Sequence, residues 1–248
     1  MELEGTTAVI TGSSGKLGGA VAWALAEAGC NCVCHYHTNR KRAEELVGQI
    51  TDRGREVIAV GADLTKADEI KKLFAAAATV GRVQILVNSV SVFQKQPLAD
   101  VTFDNARDVM DVNLIGPVLV CAEFARIVLS QQGPESANPT GKIINLVDVG
   151  GIRPWANYAV YCASRAGLIA ATKSMAKELA PAVCVNGVAP GVIVWPTGFS
   201  DEDKKRQLKF IPAGRIGYTS EITSAIIFLL ENDYITGQVL NVDGGRCI

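Results

Sequence analysis

Hydrophobic and polar positions along this 248-residue chain follow two alternating patterns. Short β-branched runs, such as residues 6–12 and 143–147, predict buried strands. Between them, stretches such as residues 17–28 and 40–53 carry apolar positions three and four apart, which predicts amphipathic helices. Strands that alternate with helices at this spacing predict βαβ units and a parallel sheet covered on both faces.

The predicted fold class is therefore α/β, a Rossmann-type doubly wound parallel sheet of about seven strands in a single domain over residues 1–248. The strands begin near residues 6, 31, 56, 83, 143, 183 and 237. Helices are expected over about 17–28, 40–53, 66–80, 103–129 and 220–230, with another around Tyr161. The pattern over 103–129 is interrupted at Gly116-Pro117, and residues 131–141 are rich in turn formers and predict a surface loop.

Composition changes this picture little. The chain is 48% apolar and 20% charged with a net charge of −1, so we expect no nucleic-acid or membrane partner. The amino terminus lacks the basic and apolar regions of a signal peptide, and no segment is expected to span a membrane, so the cytoplasm is the expected compartment. Seven cysteines, an odd number without a C-x-x-C pair, predict buried free thiols. Period-two spacing puts Cys30, Cys32 and Cys34 on one strand face and His35 on the other, so no metal site is expected.

Candidate chemistry appears where the predicted strands end. Ligands of open α/β sheets bind outside the carboxyl ends of the strands. Polar or conformationally special residues follow six strands here: Gly12, the stretch 37–40, Asp63, Asn88, Asp148 and Pro190-Gly191. These residues predict one shared crevice.

The helix after the fifth strand carries Tyr161 and Arg165, which are four residues apart and therefore share a face. Asp148, at the end of that strand, is expected to face the same cleft. A free phenol has a pKa near 10, and a fixed positive charge beside it favours release of its proton. We therefore expect a proton-delivery site. Tyr158 has Cys162 as its i+4 neighbour, which supplies no cation, so Tyr158 is expected beside the substrate.

Residues 11–18, with the sequence TGSSGKLG, lie between a strand and a helix, as a phosphate-binding turn does. The expected pyrophosphate-binding residues are Gly12, Ser13, Ser14, Lys16, Leu17 and Gly18. After the second strand, His37, Thr38, Asn39 and Arg40 include no acid that would bind a ribose 2′-hydroxyl. Lys16 and Arg40 are placed to bind a 2′-phosphate, which predicts NADPH. The alternative is that Arg40 only begins a solvated helix.

The residues together resemble the short-chain dehydrogenase/reductase family over almost the whole chain. The matching pieces are the Thr11-Gly12 turn, Asp63-Leu64, Asn88, Asn113, the Tyr161 helix, Pro190-Gly191 and Val242-Asp243-Gly244-Gly245. Within the family the chain most resembles the pteridine reductases, on His35-Tyr36-His37, Lys16, Asp148 and the ending YITGQVLNVDGG. The 3-oxoacyl-carrier-protein reductases are the nearest alternative.

The resemblance implies roles for these positions. Asp63 and Leu64 would contact adenine, while Asn88, Ser89, Pro190 and Gly191 would flank the nicotinamide. Tyr161 would donate the proton, Arg165 would hold the nicotinamide ribose and lower the phenol pKa, and Asn113 would fix a helix kink and a water. Residues 194–215 would form a mobile substrate lid, and the chain would form a homo-oligomer, a tetramer.

Two departures from the family pattern bear on function. Arg165 stands where the family has lysine, and arginine cannot release a proton at neutral pH. Asn88-Ser-Val-Ser91 replaces Asn-Asn-Ala-Gly and narrows the space beside the nicotinamide. Asp148 replaces a serine and would suit a pterin ring, or else caps its loop.

The sequence thus predicts an NADPH-dependent reductase of pteridine-reductase type that acts on a C=N or C=O bond. The alternatives are a 3-oxoacyl or other carbonyl reductase, and a catalytically weak NADP(H)-binding protein. Phe93 and Trp195 are expected to face a flat small-molecule substrate or, alternatively, to lie in the core.

Overall fold

Seven parallel strands form one sheet in the computed structural model, which describes residues 1–131, 139–195 and 198–248. The strands are β1 (Thr7–Ile10), β2 (Asn31–Tyr36), β3 (Val57–Gly61), β4 (Val83–Asn88), β5 (Gly141–Leu146), β6 (Val183–Pro190) and β7 (Val239–Val242). Their order is β3-β2-β1-β4-β5-β6-β7. The strands are added outward from β1, first β2 and β3 on one side and then β4 to β7 on the other, so the strand order reverses between β1 and β4. This is the Rossmann-type, doubly wound sheet that the sequence predicts, and the reversal point is where such sheets bind ligands.

The helices cover both faces of the sheet. They are α1 (Lys16–Glu27), α2 (Arg40–Thr51), α3 (Ala67–Ala77), α4 (Phe103–Met110), α5 (Gly116–Ser130), α6 (Ala159–Leu179), α7 (Asp201–Leu208) and α8 (Thr219–Glu231). Most bounds lie within a few residues of the predicted ones. The surface loop predicted over 131–141 falls mostly outside the described residues.

Alternate residues of each strand pack into two separate core layers, one on each face of the sheet. Ile10 of β1 packs in the layer that contains Leu25 of α1 and Ile226 of α8. Its neighbour Val9 packs in the opposite layer with Phe124 of α5. This alternation follows from the period-two geometry of strands, and it explains why the strands read as continuous apolar runs.

The cysteines follow the same pattern. Cys30, Cys32 and Cys34 lie together in the α1 layer, and all seven thiols of the chain are free. Six of the seven are buried, as predicted, and Cys247 is half-buried.

One long helical segment departs from the prediction. The sequence predicts an interruption at Gly116-Pro117, but α4 and α5 are joined without a break by a π-helical turn at Asp111–Ile115. The Gly116 N–H donates to the carbonyl of Asp111, five residues back. Because Pro117 has no N–H to offer the carbonyl of Asn113, a local shift to π bonding accommodates the proline without ending the helix.

The joined helix Phe103–Ser130 also corrects the expectation about membrane segments. It has 28 residues and is long and apolar enough, by length and composition, to cross a bilayer. In the folded chain, however, Val120, Cys121 and Phe124 are fully buried in the core. The same apolar pattern therefore serves a core helix, which periodicity alone does not distinguish from a membrane span.

Candidate active site

A cavity of about 810 Å³ opens at the carboxyl ends of the strands, where the strand order changes direction between β1 and β4. Its charged and aromatic lining side chains are Lys16, Phe93, Asp148, Arg153, Trp155, Tyr158, Tyr161, Arg165, Trp195, Phe199, Phe210 and Arg246. The predicted site residues that line it are Gly12, Lys16, Leu17, Gly18, Ser89, Phe93, Asp148, Tyr158, Tyr161, Arg165, Pro190, Gly191 and Trp195. Most of the predicted substrate and proton-delivery residues thus meet in one place.

Tyr161 and Arg165 lie one helical turn apart in α6, on the face that borders the cavity. Both are buried, with Tyr161 only 3% exposed. The guanidinium carbon of Arg165 lies 5.4 Å from the centre of the Tyr161 ring, a cation–π arrangement. Arg165 Nη1 donates to the Leu146 carbonyl at 3.5 Å, and Nε is buried without a partner among the described residues. The i, i+4 spacing thus produces the predicted phenol–cation pair.

The electrostatics of Tyr161 correct one expectation. Its pKa is raised well above its ordinary value, chiefly by burial and then by the negative charge of Asp148. Arg165 lowers the Tyr161 pKa, but its effect is smaller than these two combined. In the protein without ligands, then, the cation does not produce the net lowering that the resemblance implied. Desolvation of a phenolate in a buried aromatic site is the physical reason.

Asp148 is held at the cavity by the backbone that follows it. Its Oδ1 accepts a hydrogen bond of 2.6 Å from the Gly150 amide, so the loop-capping interpretation is correct. It also lines the cavity, so capping and a functional position coexist. Burial raises the Asp148 pKa above its ordinary range, although the Gly150 N–H, Tyr161 and Arg165 favour the charged form. Asp148 thus lies where a carboxyl can take part in proton transfer with the phenol.

The glycine-rich turn is held by His35, to which the sequence prediction gave no role in binding the cofactor. His35 in β2 is 1% exposed, and its Nδ1 accepts the Gly12 amide at 3.0 Å. Its Nε2 lies 2.9 Å from the Ala62 carbonyl, which fixes the neutral tautomer with the proton on Nε2. The backbone carbonyl of His35 also accepts from Ser13 Oγ at 2.9 Å. Strand periodicity placed His35 opposite the cysteines but gave no sign of this contact.

Several predicted cofactor residues do not line the cavity: Ser13, Ser14, His37, Thr38, Asn39, Arg40, Asp63, Leu64 and Asn88. Asn113, predicted as a catalytic residue, does not line it either. Arg40 is exposed and pairs with Glu44 at 2.7 Å, as in the alternative in which it begins a solvated helix. Asn39 caps α2 by accepting from the Arg42 amide at 3.2 Å. Asp63 accepts from the Thr65 hydroxyl at 2.7 Å. These residues surround the exposed ends of β2 and β3, beside the glycine turn.

The side chains of Leu64 and Asn88 point into the protein, so only their backbone faces the predicted cofactor side. Leu64 is 7% exposed and belongs to a core layer. Asn88 Nδ2 donates to Asn145 Oδ1 at 2.9 Å and lies 3.2 Å from Cys121 Sγ. An amide at a buried strand end requires partners, and the neighbouring strand provides one.

Asn113 lies in the π-helical turn, at the helix irregularity where the resemblance placed it. It is fully buried. Its side chain accepts from the Val92 amide at 2.8 Å and donates to the Val92 carbonyl at 3.0 Å and to Ser164 Oγ at 3.2 Å. Asn113 therefore ties the segment after β4 to α6.

Aromatic side chains surround the Tyr161 ring. Phe93 stacks on Tyr158 with ring centres 4.9 Å apart and meets Tyr161 edge-on at 4.9 Å. Trp155 is nearly parallel to Tyr161 at 6.3 Å. Phe93 is 47% exposed and so is not a core residue, which resolves that alternative. Trp155 was missed because it lies in an irregular loop, where no periodicity indicates its direction.

The predicted lid region, residues 194–215, is described except at 196–197. Its charged middle forms α7, which begins at a capping box between Ser200 and Asp203. Trp195 lines the cavity and stacks on Phe199 at 6.2 Å. Gln207 and Phe210 also line the cavity, so this segment borders the site as predicted.

The cavity fits a nicotinamide dinucleotide on two observations. The Arg165 Nε is buried at the cavity wall and has no partner in the described part of the chain, so it needs an acceptor such as a ribose hydroxyl. At the start of α1, a Cβ added to Gly18 would lie 2.4 Å from the Gly12 carbonyl oxygen, so only glycine allows the turn to close on the helix. A tight glycine turn at a helix N-terminus is the usual pyrophosphate site.

Comparison with known proteins decides the family. A family model described as enoyl-(acyl carrier protein) reductase matches residues 12–246. A 3-oxoacyl-[acyl-carrier-protein] reductase of Synechocystis sp. is 35% identical over 98% of this chain and 97% of its own length. The chain belongs to the short-chain dehydrogenase/reductase family.

Solved structures agree with this assignment. The acetoin dehydrogenase of Enterobacter cloacae is 33% identical, with a TM-score of 0.86 over 97% of this chain and 95% of its own. A variant of actinorhodin polyketide ketoreductase, solved with NADPH, is 25% identical with a TM-score of 0.89, over 98% of this chain and 97% of its own. This short-chain dehydrogenase/reductase is therefore an oxidoreductase of a nicotinamide-dependent family. The comparisons give no specific support to the pteridine reductases.

Proposed function

We propose that the protein is an NADPH-dependent reductase of a C=O group, of the 3-oxoacyl reductase type. The observation that carries this proposal is the buried Tyr161–Arg165 pair beside a cavity at the sheet reversal point. The similarity to a 3-oxoacyl reductase over nearly the whole chain supports the choice of bond. The sequence prediction placed this activity second, after the pteridine reductases.

Each side chain has a defined part in this proposal. Bound NADPH supplies a hydride to the carbonyl carbon. Tyr161 donates its hydroxyl proton to the carbonyl oxygen, and its raised pKa keeps that proton in place at neutral pH, which suits the reductive direction. Arg165 offers Nε to the cofactor ribose but cannot relay a proton. Asp148 is the group that relays a solvent proton to the phenolate: its carboxylate takes up the proton and passes it to Tyr161, which is the stronger base.

The preference for NADPH rests on charge around the cofactor end. Lys16 lines the cavity at the glycine turn, and residues 37–40 include no acid that would repel a 2′-phosphate. Arg40 is paired with Glu44 on the surface and is 73% exposed, so exchanging that partner for a phosphate costs little. The ketoreductase solved with NADPH gives the same indication for a relative.

A second candidate, pterin reduction, is favoured by Asp148. A carboxylate beside the proton donor can bond the ring nitrogens of a pterin, and the stacked Phe93–Tyr158 pair offers a flat surface to a flat ring. Each of these features also serves a ketone substrate, so this candidate is placed second.

An assay of NADPH oxidation separates the candidates. The substrates are an acetoacetyl thioester, dihydrobiopterin and dihydrofolate, each tested with NADPH and with NADH. Turnover of the thioester with an NADPH preference is the expected result. Turnover of the pterins alone would replace the first candidate with the second. NADPH binding without turnover of any substrate would favour the catalytically weak binding protein.

Two variants test the residue assignments. Tyr161→Phe is expected to lower kcat by about 10²–10⁴-fold while leaving NADPH affinity unchanged, because only the donated proton is lost.

Arg165→Lys is expected to preserve or raise turnover, because it restores a cation that can release a proton. Complete loss of activity in Arg165→Lys would contradict its placement at the cofactor ribose.

We also propose that the protein works in the cytoplasm as a homotetramer. Its sequence favours a cytoplasmic compartment, and the outer faces of α4, α5 and α6 carry exposed apolar residues.

A further inference from the structure

Arg246 is a guanidinium of the cavity that the proposed chemistry does not use. It follows β7 in the carboxyl-terminal segment and lines the same cavity as Tyr161. Its guanidinium carbon lies 5.7 Å from the centre of the Trp155 ring, which itself lies 6.3 Å from the Tyr161 ring. The Trp155 ring therefore contacts both Arg246 and the proton donor Tyr161.

The contacts of Arg246 hold it in place but leave it incompletely paired. Nη2 donates to Gln207 Oε1 of α7 at 2.8 Å. Nη1 is buried and has no hydrogen-bond partner among residues 1–131, 139–195 and 198–248. Burial lowers the Arg246 pKa, opposed by the charge of Asp148, as expected of a cation without a full set of acceptors. A buried charged donor without an acceptor is unfavourable, so this nitrogen favours an anionic ligand.

Asp148 does not meet that need. Its Oδ1 is taken by the Gly150 amide, and within the described residues no carboxylate lies within 4.0 Å of the Arg246 guanidinium. The cavity lining contains four cations, at Lys16, Arg153, Arg165 and Arg246, against one carboxylate. Lys16 and Arg165 lie at the proposed cofactor positions. Arg153 Nη1 donates to the carbonyls of Arg246 and Ile248, so it fastens the segment that carries Arg246.

We propose that Arg246 binds a carboxylate on the substrate, so that the preferred compound is an oxo acid with an apolar or aromatic body between its ketone and its acid group. The inference rests on the proposed ketone reduction at Tyr161. Trp155, Phe93 and Tyr158 supply the aromatic surface on which that body lies. A planar guanidinium suits a carboxylate because it can donate two parallel hydrogen bonds.

The test compares matched substrates with saturating NADPH. The pairs are 4-acetylbenzoate with its methyl ester, and 5-oxohexanoate with its methyl ester. Wild-type protein is expected to show a kcat/KM about tenfold or more higher for each acid than for its ester, corresponding to one charge-assisted hydrogen bond. Arg246→Gln is expected to remove this preference by raising KM for the acid, while KM for the ester rises much less.

The control and the conservative variant exclude a structural effect. Arg82→Gln removes an exposed arginine that contacts Gln131 outside the cavity, and it should leave the acid preference unchanged. Arg246→Lys should retain part of the preference, because it keeps the charge but not the planar fork. Equal losses for acid and ester in Arg246→Gln, or a wild-type protein that favours the esters, would overturn the inference while leaving ketone reduction intact.

A binding measurement separates the inference from the proposed function. Calorimetry of the NADPH complex with 4-ethylbenzoate and with 4-ethylbenzamide needs no turnover. Tighter binding of the acid, lost in Arg246→Gln and retained in Arg82→Gln, supports the anion site even if no ketone is reduced. Equal binding of acid and amide would overturn it, whatever the activity assays show.

Discussion

Asp148 and Arg165 act on the Tyr161 phenol in opposite directions. Burial raises the Tyr161 pKa most, the negative charge of Asp148 raises it further, and the positive charge of Arg165 lowers it. In reduction the phenol must carry its proton, so activity is lost as the pH rises through the Tyr161 pKa. The position of that alkaline fall therefore reports the balance between the two charges.

Asp148→Asn should move the alkaline fall of kcat/KM to lower pH, because the charge that raises the Tyr161 pKa is gone. The measurement is a pH profile of NADPH-dependent ketone reduction. Asp68→Asn, an exposed carboxylate at the start of α3, makes the same change in net charge and should leave the profile in place. A shift of the Asp148→Asn profile to higher pH would contradict the argument.

His35 is expected to support both NADPH binding and the stability of the fold. His35→Leu leaves the Gly12 amide and the Ala62 carbonyl without their partners, so NADPH affinity should fall about tenfold or more and stability by about 1–3 kcal/mol. His35→Asn keeps an acceptor and a donor and should recover part of both. Fluorescence titration with NADPH and urea unfolding provide the measurements, and an unchanged NADPH affinity in His35→Leu would contradict the role assigned to His35.

The same histidine predicts a pH dependence of stability. Burial lowers the His35 pKa, so on acidification the unfolded chain takes up a proton that the folded chain does not. The free energy of unfolding should therefore fall as the pH drops below about 6.5, the ordinary histidine value, and this part of the loss should be absent in His35→Asn. The thermal midpoint of each protein, followed from neutral to mildly acidic pH, is the measurement. A loss of the same size in both proteins would contradict it.

The residues that the sequence predicted well are those whose neighbours are set by local geometry. Tyr161 and Arg165 meet because four residues make about one helical turn. Trp155, His35 and Arg246 were missed because their contacts join segments far apart in the chain, such as Arg246 with Gln207. Periodicity carries no information about such contacts, and it does not predict the direction of a side chain in an irregular loop.

At the scale of elements, hydrophobic periodicity predicted the strands and most helix bounds, because each strand is buried on both faces and each helix on one. It failed at the π-helical turn. There the carbonyl of Asn113 has no usual donor, because Pro117 lacks an N–H. The helix changes to π-type hydrogen bonding at this point and does not end. The outcome depends on Asn113 itself, whose side chain is fixed by Val92 and Ser164.

Asn113→Ala tests that dependence. It leaves the amide and carbonyl of Val92 unpaired, so we expect a loss of about 1–3 kcal/mol in the free energy of unfolding, measured in urea. Because Val92 precedes Phe93, the KM for substrate should rise, with little change in NADPH affinity. Asp108→Ala, at an exposed position of α4, should alter neither stability nor KM appreciably. A loss in NADPH affinity alone would contradict this assignment.

At the scale of the whole molecule, the outer surface of the α4–α5 helix is unusually apolar. Phe103 is 77% exposed, Ile115 46% and Leu119 38%. Ile115 and Leu119 lie one turn apart and share a face. The neighbouring α6 carries small exposed residues at Ala163 and Ala166, which allow close approach of another helix. A contiguous apolar surface of this kind is characteristic of subunit contacts.

This apolar surface predicts that the protein self-associates. Wild-type protein should sediment as a multiple of the chain mass, and Leu119→Lys combined with Ala166→Glu should shift it toward smaller species, because both changes place charges in the contact. Lys72→Glu on α3 changes charge at an exposed position away from this surface and should leave the sedimentation unchanged. Since α6 also carries Tyr161 and Arg165, dissociation should lower activity by loosening that helix. A fully active wild-type monomer would contradict both the assembly and its link to the active site.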